Sequence, residues 1–345
     1  MIKLVTAVLL ILGAANMSCA ERIAVADRGM PGARVVCSSH DPLMTRTADW
    51  CRDFLARRGY AVDRTASTND SFAPVWSLET MEDCPAARSL GVDVSRLGSA
   101  RADACILTVT RVGASARVSI VGRNPRGVRS GVARLVALMS ERNGSLLVPE
   151  TSEFRTPFFP IRRLMVAPTG RIVNGEYGTT YNSLPAEWAR WSDTLWTNWS
   201  DERLRIYAEQ LWLLGFNSIE VCEIRGYRGV FTDEQLKNEI TPKIRVFAKA
   251  CRDNGMQVSL FIWGQSIFKE GDNLCWNAPE ERKRMQSEYR RLARTYGDLT
   301  DHVVVHVGDP GGCTRNGCDA YKVTQELAAF ILAAAGLRGL RRSFV

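Results

Sequence analysis

The sequence predicts an α/β fold in two parts: a small N-terminal α/β domain, then a parallel (β/α)8 barrel of which about the first half is present. Three observations carry this. From Arg162 onward, apolar strand-length runs and amphipathic helix-length runs alternate strictly, the pattern of βαβ units. Within them His302 to Val307 is a continuous apolar strand that runs into Gly308-Asp309-Pro310-Gly311-Gly312, as a buried parallel strand does when it ends in a sharply shaped loop. Ahead of Pro149 lies a separate alternation of shorter strands and helices.

In chain order, Met1 to Ala20 has one lysine, an apolar run from Leu4 to Leu12 and small residues at Ser18 and Ala20, the pattern of a secretory signal. Export to the periplasm or medium is expected. A lipoprotein acylated at Cys19 is the alternative, disfavoured because Asn16-Met17-Ser18 lacks an aliphatic residue three positions before the cysteine. No later run has the length and apolarity of a transmembrane helix. The formal charge of +8 in 345 residues comes from arginines scattered among acids, with no basic block carrying interleaved aromatics, so nucleic acid is not an expected partner.

The first domain, residues 21–155, is read as a strand over Arg34 to Ser38, a helix over Pro42 to Arg58, strands over Ala104 to Val112 and Ala116 to Gly122, and a loop plus helix from Asn124 to Arg142. In that last helix Val128, Val132, Leu135, Val136 and Met139 share one face. Gly122 to Gly127 is not a phosphate loop, because it lacks the Gly-Lys-Ser/Thr that contacts phosphate and Mg²⁺.

The second domain, residues 156–345, is read as strands over Arg162 to Ala167, Asn217 to Glu223, Gly255 to Trp263 and His302 to Val307. Helices over Asp201 to Leu214, Asp233 to Asp253, Pro279 to Tyr296 and Ala320 to Leu337 alternate with them, and Gly215 and Gly255 are placed for left-handed helix caps. Four βα units are half of a barrel. A truncated gene or fragment is therefore expected, with open barrel edges that would permit self-association.

In such a barrel chemistry sits at the carboxyl ends of the strands. Asp309, placed before a proline, projects there or else only caps its turn; His306 lines the site or packs as a buried neutral ring. Glu223 closes the second strand and is a catalytic candidate, unless it only pairs with Arg225. Trp263 and Gln265 end the third strand, where they floor a sugar subsite and bond a hydroxyl, or simply pack at the rim. Trp188, Trp191, Trp196 and Trp199 crowd the end of a long loop, an arrangement suited to sugar rings or to a hydrophobic minicore. Cys313 and Cys318 are close enough to bridge, and with no third or fourth ligand at suitable spacing no metal site is expected, nor any cofactor.

The run from Val118 to Met139, then Gly144-Ser145-Leu146-Leu147-Val148-Pro149 and Thr156-Pro157-Phe158-Phe159-Pro160-Ile161-Arg162-Arg163, resembles the domain junction of family 20 β-N-acetylhexosaminidases and related α-glucuronidases. The resemblance implies an exported glycosidase acting on oligosaccharide or polysaccharide, with Arg162 at the position of an arginine that grips sugar hydroxyls, although Arg163 replaces the glycine that follows it there. It also implies an acid pair after His-x-Gly-Gly. Here Pro310 and Gly311 stand where that pair is expected, which leaves Asp309 without a neighbouring glutamate. Three classes of function stay open: an exported exo-glycosidase whose remaining carboxylates are expected on strands missing from this chain, a carbohydrate-binding protein that has lost catalysis, and a cell-envelope scaffold.

Overall fold

The structure is a computed structural model that describes residues 21–29, 31–37, 39–63, 73–166, 199–222, 234, 236–262, 274–305 and 313–334. The chain divides into two compact units, one running to Pro160 and one from Ile161 onward, with Leu213–Gly215 grouped with the first. The segment Met1 to Ala20, read as a signal, lies outside the described residues.

The first unit comprises β1 (Arg22–Asp27), β2 (Ala33–Cys37), α1 (Pro42–Arg57), β3 (Val62–Asp63), β4 (Val75–Thr80), α2 (Pro85–Ser89), β5 (Cys105–Val112), β6 (Ser115–Gly122), α3 (Pro125–Leu138), β7 (Ser140–Arg142), β8 (Ser145–Pro149) and β9 (Thr151–Arg155). A mixed sheet runs in the order β3-β2-β4-β6-β5-β9, and a second, antiparallel sheet in the order β1-β8-β7. Asp41 starts α1 by accepting the N–H groups of Leu43 and Met44 at 2.8 and 3.1 Å, and Pro42 occupies a first-turn position where its missing N–H costs nothing. The helix buries Met44, Ala48, Cys51, Phe54 and Leu55, one stripe at helical spacing.

Asn124 caps α3 on the Gly127 N–H at 3.1 Å, and Val128, Val132 and Leu135 are fully buried on one face, as their spacing predicts. The helix stops earlier than predicted. Met139 turns extended, and β7 folds back on β8 through Asn143 and Gly144, whose φ values of 52° and 78° are those of a two-residue hairpin turn.

The glycines between β6 and α3 serve packing. A Cβ on Gly122 would lie 2.2 Å from the Val128 nitrogen and 2.5 Å from the Asn124 carbonyl oxygen; one on Gly127 would lie 2.3 Å from the Ala104 carbonyl oxygen. These neighbours are backbone atoms and cannot swing aside. Gly122→Ala is therefore expected to destabilise the first unit by ~1–3 kcal/mol, as overpacking does. A urea midpoint equal to that of the wild type would show that the turn relaxes freely.

The second unit comprises β10 (Arg163–Val166), α4 (Asp201–Leu213), β11 (Ser218–Cys222), α5 (Thr241–Asp253), β12 (Gln257–Ile262), α6 (Pro279–Tyr296), β13 (His302–Val305) and α7 (Ala320–Ala334). Its four strands pair in parallel in the order β10-β11-β12-β13, which gives the barrel segment its predicted topology. Gly215 and Gly255 follow α4 and α5 with φ of 91° and 76°, the left-handed geometry expected of them. The predicted single helix Asp233–Asp253 needs correction. A π-type turn spans Leu236–Ile240 and α5 begins only at Thr241, because Pro242 has no N–H to donate and so starts a helix more readily than it continues one.

Candidate functional site

In a parallel ladder, residues paired across strands point to the same side of the sheet, so the register sorts the side chains of β10–β13 into two faces. Leu164, Val166, Ile219, Val221, Val258, Leu260 and Ile262 share one face; those on β11 and β12 are buried, and α5 packs on both strands. The opposite face is polar toward its amino end and apolar at Phe261 and Val304 nearer the carboxyl edge. Arg163 pairs in register with Ser218, and Met165, Glu220, Ser259 and His302 form the next layer toward the carboxyl edge.

That polar face is organised by an ion pair. The Arg163 guanidinium donates to Glu220 Oε2 at 3.2 Å and to Ser218 Oγ at 3.3 Å, with Glu220 only 6% exposed. Burial raises the Glu220 pKa above the ordinary carboxylate value, opposed by the charge and hydrogen bond of Arg163. Beside it Ser259 is fully buried, and its Oγ has no hydrogen-bond partner among the described residues. A carboxyl disposed to keep its proton, next to a fixed cation and a hydroxyl, has the chemistry to donate a hydrogen bond or a proton to an oxygen-rich ligand.

The amino edge of the sheet is stitched by polar caps. Asn217 Oδ1 accepts the Arg162 N–H at 2.7 Å, and the Asn217 carbonyl accepts the Gln257 N–H at 2.9 Å. Asp301 donates its N–H to the Val258 carbonyl and accepts the Val258 N–H through Oδ2, both at 2.8 Å. In a barrel this end serves stability.

Of the predicted site residues, Arg162 is described and lies at this amino edge, half-buried, immediately before β10. Asp309, Glu223, His306, Trp263 and Gln265 lie outside the described residues. The sequence reading passed over Arg163 and Ser259 as site residues; Ser259 lies in one layer with Glu220 and His302, and Arg163 reaches Glu220 from the layer before it. The signal was strand parity: Arg163, Ser218, Glu220 and Ser259 fall on alternate positions opposite branched apolar residues.

The expectation that Cys313 and Cys318 lack a third partner is overturned. Cys275, before α6, brings its Sγ within 4.8 Å of both others, and all three side chains are buried. No spacing rule finds a partner so far away in sequence; only the side-by-side placement of β12 and β13 brings the loops after them together.

No protein-family model and no curated protein matches the sequence. Among solved structures, the chain is similar to the family 20 β-N-acetylhexosaminidase of Streptomyces coelicolor, with a TM-score of 0.54 and 14% identity over 93% of this chain and 62% of that one. It is similar to a β-N-acetylhexosaminidase of Bacteroides fragilis, with a TM-score of 0.55 and 11% identity over 95% and 64% of the two chains. A family 138 glycoside hydrolase targeting pectin rhamnogalacturonan II aligns with a TM-score of 0.55 and 12% identity over 89% and 43%. The chain thus spans less than two thirds of the length of each of these enzymes. Identity this low speaks for the fold alone. The chain has the fold of the family 20 hexosaminidases and other glycoside hydrolases, in an α/β unit followed by part of a (β/α)8 barrel.

Proposed function

We propose that this protein is an exported carbohydrate-active protein of the glycoside hydrolase type, acting on an oligosaccharide or polysaccharide. The observation that supports this best is the polar inner face of β10–β13, built on Arg163, Glu220 and Ser259, in a fold shared with glycosidases. All four parallel strands direct their carboxyl ends to one edge. Glu223, Trp263 and His306 are the residues that follow Cys222, Ile262 and Val305 in sequence at the ends of three of them.

Glycoside hydrolysis needs two carboxyl groups about the anomeric carbon, one of which keeps its proton until the leaving oxygen takes it. We assign those roles to Asp309 and Glu223, with His306, Trp263 and Gln265 binding the sugar and Arg162 contacting its hydroxyls. Of the six, Arg162 stands apart, at the amino end of its strand. Asp309→Ala is expected to weaken sugar binding by ~1–3 kcal/mol, the cost of leaving a hydrogen-bond partner unsatisfied. Calorimetric titration with amino sugars and uronic acids checks it, and unchanged binding removes Asp309 from the site.

A binding protein without turnover is the second reading, favoured by Pro310 and Gly311 at the positions of the acid pair. Multiple turnovers of an aryl glycoside, lost in Asp309→Asn, support the hydrolase; binding without turnover supports this alternative. Binding to none of the sugars leaves the scaffold reading.

A further inference from the structure

We propose that Cys275, Cys313 and Cys318 form a binding site for a thiophilic divalent metal ion of the zinc type, and that the ion ties the loop after β12 to the loop after β13. Among the described residues this is the one place where three ligands of this kind converge, with every sulfur within 4.8 Å of the other two. Cys275 is fully buried, and Cys313 and Cys318 are 4% and 9% exposed, so an ion here would be shielded from water on the protein side.

The chemistry of the donors selects the ion. Three soft sulfurs favour zinc over magnesium or calcium, which prefer oxygen. Zinc–sulfur bonds of about 2.3 Å in a tetrahedron hold sulfurs about 3.8 Å apart, so the cluster needs to close by about 1 Å or less to take the ion. Cys313 and Cys318 are separated by four residues, a spacing common among paired zinc ligands. Three protein ligands leave the fourth position to water.

Hydrogen-bond donors face two of the three sulfurs. The Arg315 N–H donates to Cys313 Sγ at 3.3 Å, and the Asn316 side-chain amide donates to Cys275 Sγ at 3.7 Å. The turn between Cys313 and Cys318 carries Asn316 and Gly317 at φ of 54° and 65°, left-handed geometry that wraps the backbone around the sulfurs. Outside these contacts, Glu281 accepts the Cys275 N–H at 2.6 Å and pairs with Arg315 at 2.8 Å, and Asn277 Nδ2 donates to the Asn316 carbonyl at 3.0 Å. Such outer contacts hold metal ligands in place before the ion arrives. On binding, each thiol gives its proton to solvent, and the Cys275 thiol gives up its bond to the Arg315 carbonyl at 3.3 Å.

The site is independent of the sugar site proposed above and is tested without any activity measurement. The full chain is reduced, freed of metal under argon and titrated with Co²⁺ and then Zn²⁺. One equivalent of Co²⁺ should give thiolate charge-transfer absorption and a tetrahedral d–d band, both displaced by Zn²⁺. Alkylation with iodoacetamide, mapped by peptide mass, should be suppressed by Zn²⁺ at these three cysteines and unchanged at the half-buried Cys37. Glu281→Gln should weaken Zn²⁺ binding by about 10-fold or more, as loss of an outer contact does. The mapping needs only the wild-type chain, so a variant that fails to fold leaves the test intact. Protection that does not single out these three residues overturns the proposal. So does a reduced chain that takes up no metal and re-forms a disulfide within the trio.

Discussion

Replacing Trp76 with alanine is expected to lower the unfolding free energy of the first unit by ~3–5 kcal/mol, the range for deleting a large buried aromatic ring. Trp76 is fully buried on β4, in the middle of the six-stranded sheet, and is the largest of the fully buried side chains among the described residues. It also does something a phenylalanine could not. In the β1–β8 ladder Ala24 faces Leu147 and Ala26 faces Leu146, so Val25 is the extra residue of a bulge. The Trp76 Nε1–H donates to the Val25 carbonyl at 3.0 Å, joining the two sheets at the point where the ladder is interrupted. Trp76→Phe keeps most of the buried area but strands that carbonyl, at a cost of ~1–3 kcal/mol. Urea unfolding read by hydrogen exchange in β1 and β4 separates the two contributions. Exchange in β1 unaffected by Trp76→Phe would show that the Val25 carbonyl finds another donor.

Neither Trp76 nor its strand stood out in the sequence, and the reason is physical. Val75 to Glu79 is buried on both faces, so it shows no alternation, and it is too short to be separated from loop by length. The elements that were legible are those with a periodic face and a chemical stop. The predicted helix Pro279–Tyr296 matches α6 at both ends, since proline opens it and Gly297 follows it. β11 and β12 begin within one or two residues of expectation because Gly215 and Gly255 fix where the helices before them stop. β7 and β8 announced themselves only through Asn143-Gly144, a strong hairpin signal that the helical pattern ahead of it obscured.

Site residues divide in the same way. Residue types at strand ends are visible in a sequence, and so is the parity that sets Glu220 opposite Ile219 and Val221. Which cation meets which carboxylate is not, because Arg163 and Glu220 are partners through register and 57 residues of chain separate them. Cys275 and Cys313 are related in the same manner across β12 and β13. In a parallel sheet each crossover inserts a helix between neighbouring strands, so cross-strand partners are always distant in sequence.

The second large effect is expected at that ion pair. Arg163→Met should destabilise the second unit by ~3–5 kcal/mol at neutral pH, because it leaves a buried carboxylate without its cation. Both side chains are shielded enough for this to hold, at 20% and 9% exposure. The effect should depend on pH in a definite direction. Burial raises the folded-state pKa of Glu220 above its reference value of 4.5, so its contribution to stability is fully present below 4.5 and is lost as pH rises through the folded-state value. Arg163 opposes that rise, and without it the folded-state pKa climbs further. The variant should therefore lose more stability than the wild type between acid and neutral pH. Adding Glu220→Leu to Arg163→Met should recover much of the loss and flatten the profile, since an apolar pair of similar volume often replaces a buried ion pair at little cost. Urea midpoints measured across that pH range for the three proteins decide it. If the single variant tracks the wild type at every pH, Glu220 is solvated from the inner face of the sheet. Its protonation would then be free to respond to whatever ligand that face receives.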